Sequence, residues 1–366
     1  MKKLYTETQY KKHNIRRAKN SSKSKRRFKK YQREKNRSLQ GVNKADQEYK
    51  RLYETPYKDY VKVTAPEILS FIDNPVGVVE FISNLKKHYD LKNKVLVLLR
   101  DVTVITYDAI VVLLSIMVKF KASKIPFNGD LPNDPVASKI LKESKFLEYL
   151  YRQFREEDRY SLGQHSSIHT HAWKDVDSDL GDELIRHASK TIWGEIRRCQ
   201  GVQRTLIELM LNTNNHADDS KKGEKHWWLS VHHDIDANRV SFAFIDFGVG
   251  VFTSLENKRS GSKFYGILSK VRDKWKYGNN AELLRLIMDG TLHRTATGKS
   301  YHGKGLPGIN KVRDRNQISN LNIITNDVHA KLDDSQFTLL PKSFSGTFVY
   351  WELNQNNVSC HGESGN

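Results

Sequence analysis

A strand that must end at Asp246 narrows the folds open to this chain more than any other feature. Arg239-Val-Ser-Phe-Ala-Phe-Ile-Asp246 is rich in aromatic and β-branched residues, and Gly248 and Gly250 follow its closing carboxylate. A helix pattern lies on either side of it. From about Gln203 to Ala217 apolar residues recur at helical spacing, and Gly303-Lys-Gly305-Leu-Pro-Gly308 runs into Ile309-Asn-Lys-Val-Arg. Such a chain must mix helix and strand.

Each of these stretches carries chemistry. Leu206, Met210 and Ala217 fall on one side of the first helix, and Glu208, Asn212 and Asn215 on the other. A carboxylate and a carboxamide four residues apart project side by side. That suits a general base orienting water next to an amide oxygen that holds Mg²⁺. The glycines after Asp246 let backbone approach a planar ligand, and the carboxylate can accept a hydrogen bond from an amino group such as that of adenine. Pro307 falls in the first turn of the later helix, where open amides bind phosphate and Lys304 adds charge. Singly, the three would pass for a surface helix, a turn with a stray Asp and a glycine-rich turn. Gly303–Gly308 follows no clear strand, unlike a Rossmann turn, and the sequence has no Gly-x-x-x-x-Gly-Lys-Ser/Thr loop. In this order they read as a nucleotide site.

The series resembles the GHKL, or Bergerat-fold, ATPases, which include type II topoisomerases, mismatch-repair ATPases, heat-shock chaperones, histidine kinases and anti-sigma-factor kinases. Glu208, Asn212 and His216-Ala217 are similar to the family's N box, Asp246, Gly248 and Gly250 to its adenine-binding G1 box, and Gly303 to Gly308 to its G2 box. Ser345-Gly346-Thr347-Phe348, leading into Val349-Tyr-Trp-Glu-Leu, is similar to its final Gly-Thr element. The resemblance covers roughly residues 166 to 354. It implies an ATP- and Mg²⁺-binding site with Glu208 as catalytic base, Asn212 as Mg²⁺ ligand and Asp246 as the adenine contact. It implies nucleotide contacts at Asn215, His216, Gly248, Gly250, Lys299, Gly303, Lys304, Gly305, Leu306, Gly308 and Thr347. It also implies a mobile lid over the phosphates from 252 to 302, carrying Lys258, Arg259, Lys263 and Lys299.

The rest of the 366 residues divides by composition. Residues 1 to 40 hold 16 of the 61 Lys+Arg and only Glu7 and Glu34 of the 42 acids, a net +14, leaving +5 for the remaining chain. This arm has few large apolar residues and no sustained amphipathic stripe, so it is expected to be disordered when free. Its cations, interleaved with Tyr5, Tyr10, Phe28 and Tyr31, suit RNA or DNA binding through phosphates and stacking. A contact with an acidic protein would use the same charges.

From about Tyr60 to Leu150 strands and helices alternate. Lys94–Leu99 reads as a buried strand, Tyr107–Phe120 as an apolar helix, Ser123–Asn128 as a short strand and Pro135–Tyr151 as one amphipathic helix. The apolar run Ala109–Val118 is too short to span a bilayer, so a core helix and no membrane association are expected. The order, with Leu99-Arg-Asp-Val-Thr-Val-Ile-Thr-Tyr-Asp-Ala-Ile110, resembles the STAS domain of anti-sigma-factor antagonists. Where that family has a phosphorylatable serine after an aspartate, this chain has Thr106, Tyr107 and Asp108. The domain therefore reads as an interaction module, with Thr106 and Tyr107 as candidates for modification.

The expected fold class is α/β (α+β). A basic disordered arm (1–55) precedes a STAS-like α/β layer domain (56–152), a Bergerat-fold α/β sandwich ATPase domain (153–354) and a flexible tail (355–366). His169 and His171 fall in an alternating strand, Ile168–Trp173, and with His165 they do not read as a zinc site. Two distant cysteines, Cys199 and Cys360, give no disulfide framework, and no apolar secretory core follows the first charges, so a cytoplasmic protein is expected. The leading expectation is an ATP- and Mg²⁺-dependent conformational switch with slow hydrolysis. An anti-sigma-type serine/threonine kinase and a non-catalytic ATP-binding, nucleic-acid-associated scaffold in phage defence are the alternatives. The expected partners are ATP, nucleic acid through residues 1–40, a protein at the STAS-like domain and a second copy of the chain.

Overall fold

The structure is a computed structural model. It describes residues 12, 15–17, 19–27, 29–32, 47–151, 167–172, 178–216, 227–256, 279–290 and 305–357, with the backbone alone at 54, 167–172, 214–216 and 255–256. Two compact units emerge, Met1–Asp59 and Tyr60–Asn366.

In the first unit the described residues from 12 to 32 are helical and exposed. Lys, Arg and Gln are good helix formers, and no Gly or Pro interrupts residues 1–40. Exposure all round agrees with the expectation that this segment buries no core.

The second unit is mixed α/β. Its N-terminal part runs β1 (Val61–Thr64), β2 (Ile68–Leu69), α1 (Pro75–Asp90), β3 (Val95–Leu98), β4 (Val104–Ile105), α2 (Tyr107–Ala122), β5 (Phe127–Gly129), α3 (Pro135–Glu143) and α4 (Phe146–Tyr151). β1, β3 and β5 form a parallel sheet in that order, and β2 pairs in parallel with β4. The helix expected over Pro135–Tyr151 is two helices, because Lys145 takes a left-handed backbone (φ 55°) that ends α3. Lys124 does the same (φ 55°), so the strand expected from Ser123 begins only at Phe127.

The C-terminal part runs β6 (Ser167–Ala172), α5 (Ser178–Trp193), α6 (Gln200–His216), β7 (Trp227–Asp234), β8 (Arg239–Asp246), α7 (Val251–Glu256), α8 (Asn280–Met288), α9 (Leu306–Asp314), β9 (Ser319–Lys331) and β10 (Gln336–Asn354). Five antiparallel strands in the order β6-β7-β8-β10-β9 make its sheet. Alternation divides the two faces. Phe242, Phe244, Val349 and Trp351 pack with Leu206, Met210, Leu284 and Ile309 of the later helices. Ala243, Ile245, Ile324 and Phe348 pack instead with α1 and α2.

Residues 60–151 therefore close the second face of the five-stranded sheet. Phe71 stacks on Phe348 at 4.6 Å and meets Phe344 edge-on at 5.9 Å, and Tyr107 stacks on His232 at 3.8 Å. α2 is buried on almost every side, from Asp108 to Met117, because a sheet lies on each side of it. This explains its apolar run, and among the described residues no helix is long and apolar enough to cross a membrane. The border expected at 152/153 divides two halves that share one core.

Asp108, in the first turn of α2, is 5% exposed and accepts the Phe71 N–H at 2.9 Å. Burial pushes its carboxyl up to about 6, against opposing hydrogen bonds from Thr106 and Phe71. A folded value above the unfolded one means stability that is complete below about pH 4 and lost as pH rises through about 6. Asp108→Asn should remove that loss, so the variant gains on the parent by up to about 3 kcal/mol between pH 4 and 7. Urea midpoints at the two pH values check this, and parallel pH curves for parent and variant would refute it.

Candidate functional site

α6 carries its apolar residues as the spacing predicts. Val202, Leu206, Leu209 and Met210 are buried, while Glu208 and Asn212 are half-buried one turn apart. α9 packs against it in the opposite direction. An alanine Cβ at Gly201, near the start of α6, would press on Val312 in the second half of α9 and on Gln317 just beyond its end. At the other end a Cβ at Gly305, the N-cap of α9, would stand 3.1 Å from both Nδ2 and Oδ1 of Asn212. The amide of α6 thus lies against the glycine that opens α9. Gly305 has no side chain to cap the first turn, and Pro307 lies within that turn as expected. Pro307 has no N–H, and the Gly308 and Ile309 N–H groups both donate to the Gly305 carbonyl, so the Leu306 N–H is the amide of that turn left open among the described residues, with the Asn212 side chain beside Gly305 and the Glu208 carboxylate one turn away.

Asp246 approaches from the sheet. Its register partners are Trp227 on β7 and Thr347 on β10, and Thr347 pairs with Thr325 on β9. This row continues the face of Phe244, Val349 and Ile323, which carries α6 and α9, but it is mostly polar. Asp246 accepts the Gly248 N–H at 2.8 Å and a hydrogen bond from the Thr347 side chain. Burial pushes its carboxyl up to about 6, held down in part by those bonds, so at pH 7 it is mainly an ionised acceptor. Trp227, buried in the same row, has an indole N–H with no acceptor among the described residues.

The loop after Asp246 is clamped by two residues that the sequence reading missed. Thr325 Oγ1 accepts the Val251 N–H at 3.0 Å and donates to the Gly346 carbonyl at 3.1 Å. Asn326 accepts the Phe252 N–H at 3.2 Å and donates to the Val249 carbonyl at 3.0 Å. Gly250, with φ 78°, packs so closely on Asn326 that a Cβ would overlap its amide. The signal was present in Ile323-Ile-Thr-Asn-Asp327, where an apolar strand turns polar opposite a Gly-Thr pair.

Two described parts of the lid expected from 252 to 302 pack into the core. Phe252 is buried, and α8 packs Ala281, Leu284, Ile287 and Met288 into the core while Asn280 Nδ2 donates to Asp327 at 2.6 Å. These are structural elements because their apolar spacing buries them against the sheet. Lys258, Arg259, Lys263, Lys299, Gly303 and Lys304 lie outside the described residues, as do the side chains of Asn215 and His216. Leu306 is buried at the start of α9, and a Cβ at Gly308 would meet nothing within 4 Å.

Among the described residues no group of three or more His, Cys, Asp or Glu could hold a metal ion. Asn212 nonetheless offers an amide oxygen there, one turn from the Glu208 carboxylate. Mg²⁺ is commonly held by one or two protein oxygens together with substrate phosphates, so Asn212 fits a nucleotide-borne Mg²⁺. No protein-family model matches the chain, and a search of curated proteins finds no match either.

Proposed function

We propose that the chain binds Mg·ATP where α6 meets the start of α9, on the face of the five-stranded sheet that also carries Asp246, and that it acts as an ATP-dependent switch with slow hydrolysis. The observation that carries this reading is the contact of Asn212 with Gly305. It brings the carboxylate-amide helix to the start of α9, where the Leu306 N–H is open, and strand alternation turns Asp246 to the same side of the sheet. Asp246 would accept from the adenine amino group, Asn212 would hold Mg²⁺, and the Leu306 N–H would meet phosphate.

In turnover Glu208 takes a proton from water as its oxygen bonds to the γ-phosphorus. The bond from that phosphorus to the β-γ bridging oxygen breaks, giving ADP and phosphate. The switch has a built-in path to residues 60–151. Phe247, next to Asp246, lies under the Lys119 ammonium at 4.5 Å and borders a cavity of about 90 Å³ shared with Val79, Ile82 and Ser345. Movement at the end of β8 therefore reaches α1 and α2 directly.

Titrations of parent, Asn212→Ala and Gly305→Ala with ATP, each with and without Mg²⁺, test this site. Asn212→Ala should weaken Mg·ATP tenfold or more and leave Mg²⁺-free ATP nearly unchanged, since only a metal ligand is gone. Gly305→Ala should act in the same direction by displacing that amide. An unchanged Mg²⁺ effect in Asn212→Ala would overturn the metal assignment.

A further inference from the structure

The first unit carries a feature that the nucleotide site does not use. Its described helical residues carry Arg16, Lys19, Lys23, Arg26, Arg27 and Lys30, separated by three, four, three, one and three positions. At about 100° per residue Lys19, Lys23, Arg26 and Arg27 of the unbroken run 19–27 lie within an arc of roughly 100°, and Arg16 and Lys30 continue the same spacing on either side. They are six of the nine Lys and Arg described from 16 to 30, and no Asp or Glu occurs between Glu7 and Glu34. Two thirds of these cations therefore share one face, while Arg17, Lys25 and Lys29 lie elsewhere around the helix.

Burial cannot explain that sorting. All six are exposed, and the large apolar side chains beside them, Ile15 and Tyr31, are 57% and 61% exposed. Like charges three and four residues apart also disfavour an isolated helix. A polyanion along the stripe would reverse that penalty.

We infer that this helix is a docking surface for double-stranded DNA, with the cationic stripe facing the major groove and its two edges reaching the phosphates on either side. An α-helix fits the major groove of B-form DNA, which is about 12 Å wide, whereas the major groove of A-form RNA is too narrow for side chains to read. Contacts to phosphate alone make the binding strong at low salt and indifferent to sequence. This surface is independent of the ATP reading.

The test uses full-length protein and fluorescence anisotropy with a labelled 20-base-pair DNA of arbitrary sequence, an RNA duplex and a DNA single strand of matched length, over a range of salt. Two triple variants lose equal charge: Lys19→Gln with Lys23→Gln and Arg26→Gln on the stripe, and Arg17→Gln with Lys25→Gln and Lys29→Gln off it. Six phosphate contacts predict a log K against log salt slope of about −5, and loss of three should reduce it by about half. The stripe triple should lose more than tenfold in affinity for DNA and the off-stripe triple less than threefold. Equal losses in the two triples would overturn the stripe, leaving only net charge. Tighter binding of the RNA duplex or of the single strand would overturn the assignment to duplex DNA, as would affinity without a salt slope.

Discussion

Glu208→Ala should bind ATP as the parent does and hydrolyse it roughly 10²- to 10⁴-fold more slowly, the usual loss when a positioned general base is removed. Glu208 is half-buried on the face of α6 that also presents Asn212, and it takes no part in the buried apolar side formed by Leu206, Leu209 and Met210. Removing its carboxylate therefore leaves the helix, its contact with α9 and the proposed metal ligand in place. Single-turnover release of phosphate, measured beside equilibrium binding, separates the two effects. Equal rates in variant and parent would remove Glu208 from the mechanism, and weakened binding would give it a structural role instead.

Gly346→Ala carries the largest expected cost in stability. Gly346 sits at φ 128°, where side chains are strained, and a Cβ there would overlap the Asp246 carbonyl oxygen and lie 3.0 Å from Phe247 Cα. Neither neighbour is a flexible side-chain tip, since both belong to the backbone of the adjacent strand and its exit loop. Relief would need β10 to move off β8 at Thr347, the partner of Asp246. A loss of about 3 kcal/mol or more is expected in urea unfolding. Gly308→Ala gives the contrast, because its Cβ meets open space within a helix and should stabilise by up to about 1 kcal/mol. Similar midpoints for the two variants would show that the Gly346 turn yields easily.

These two residues also mark how far the sequence could be read. Periodicity placed Arg239–Asp246 to the residue, and it put Glu208 and Asn212 on the less buried side of their helix. Both follow from local pattern, which reports whether a face is covered. It does not report by what. Phe71 and Phe348 stack across 277 positions of chain, and nothing near either residue indicates that residues 60–151 cover the second face of the five-stranded sheet. The Thr325–Asn326 clamp was hidden for the same reason, since its partners lie 74 to 77 residues away. Backbone conformation hid the break in Pro135–Tyr151, because Lys145 adopts the left-handed region without a glycine to announce it. In the basic arm, Lys, Arg and Gln favour helix while their charge prevents a core, so composition alone does not choose between helix and coil.

The central claim is that Asp246 and the α6–α9 junction serve one nucleotide. Competition of ATP and GTP for the purified protein with Mg²⁺ present, repeated with Asp246→Ala, tests it most directly. ATP should bind at least tenfold more tightly than GTP in the parent, and that preference should collapse in the variant, because the acceptor for the adenine amino group is gone. Failure of the parent to bind ATP, or an adenine preference that survives loss of Asp246, would contradict the account.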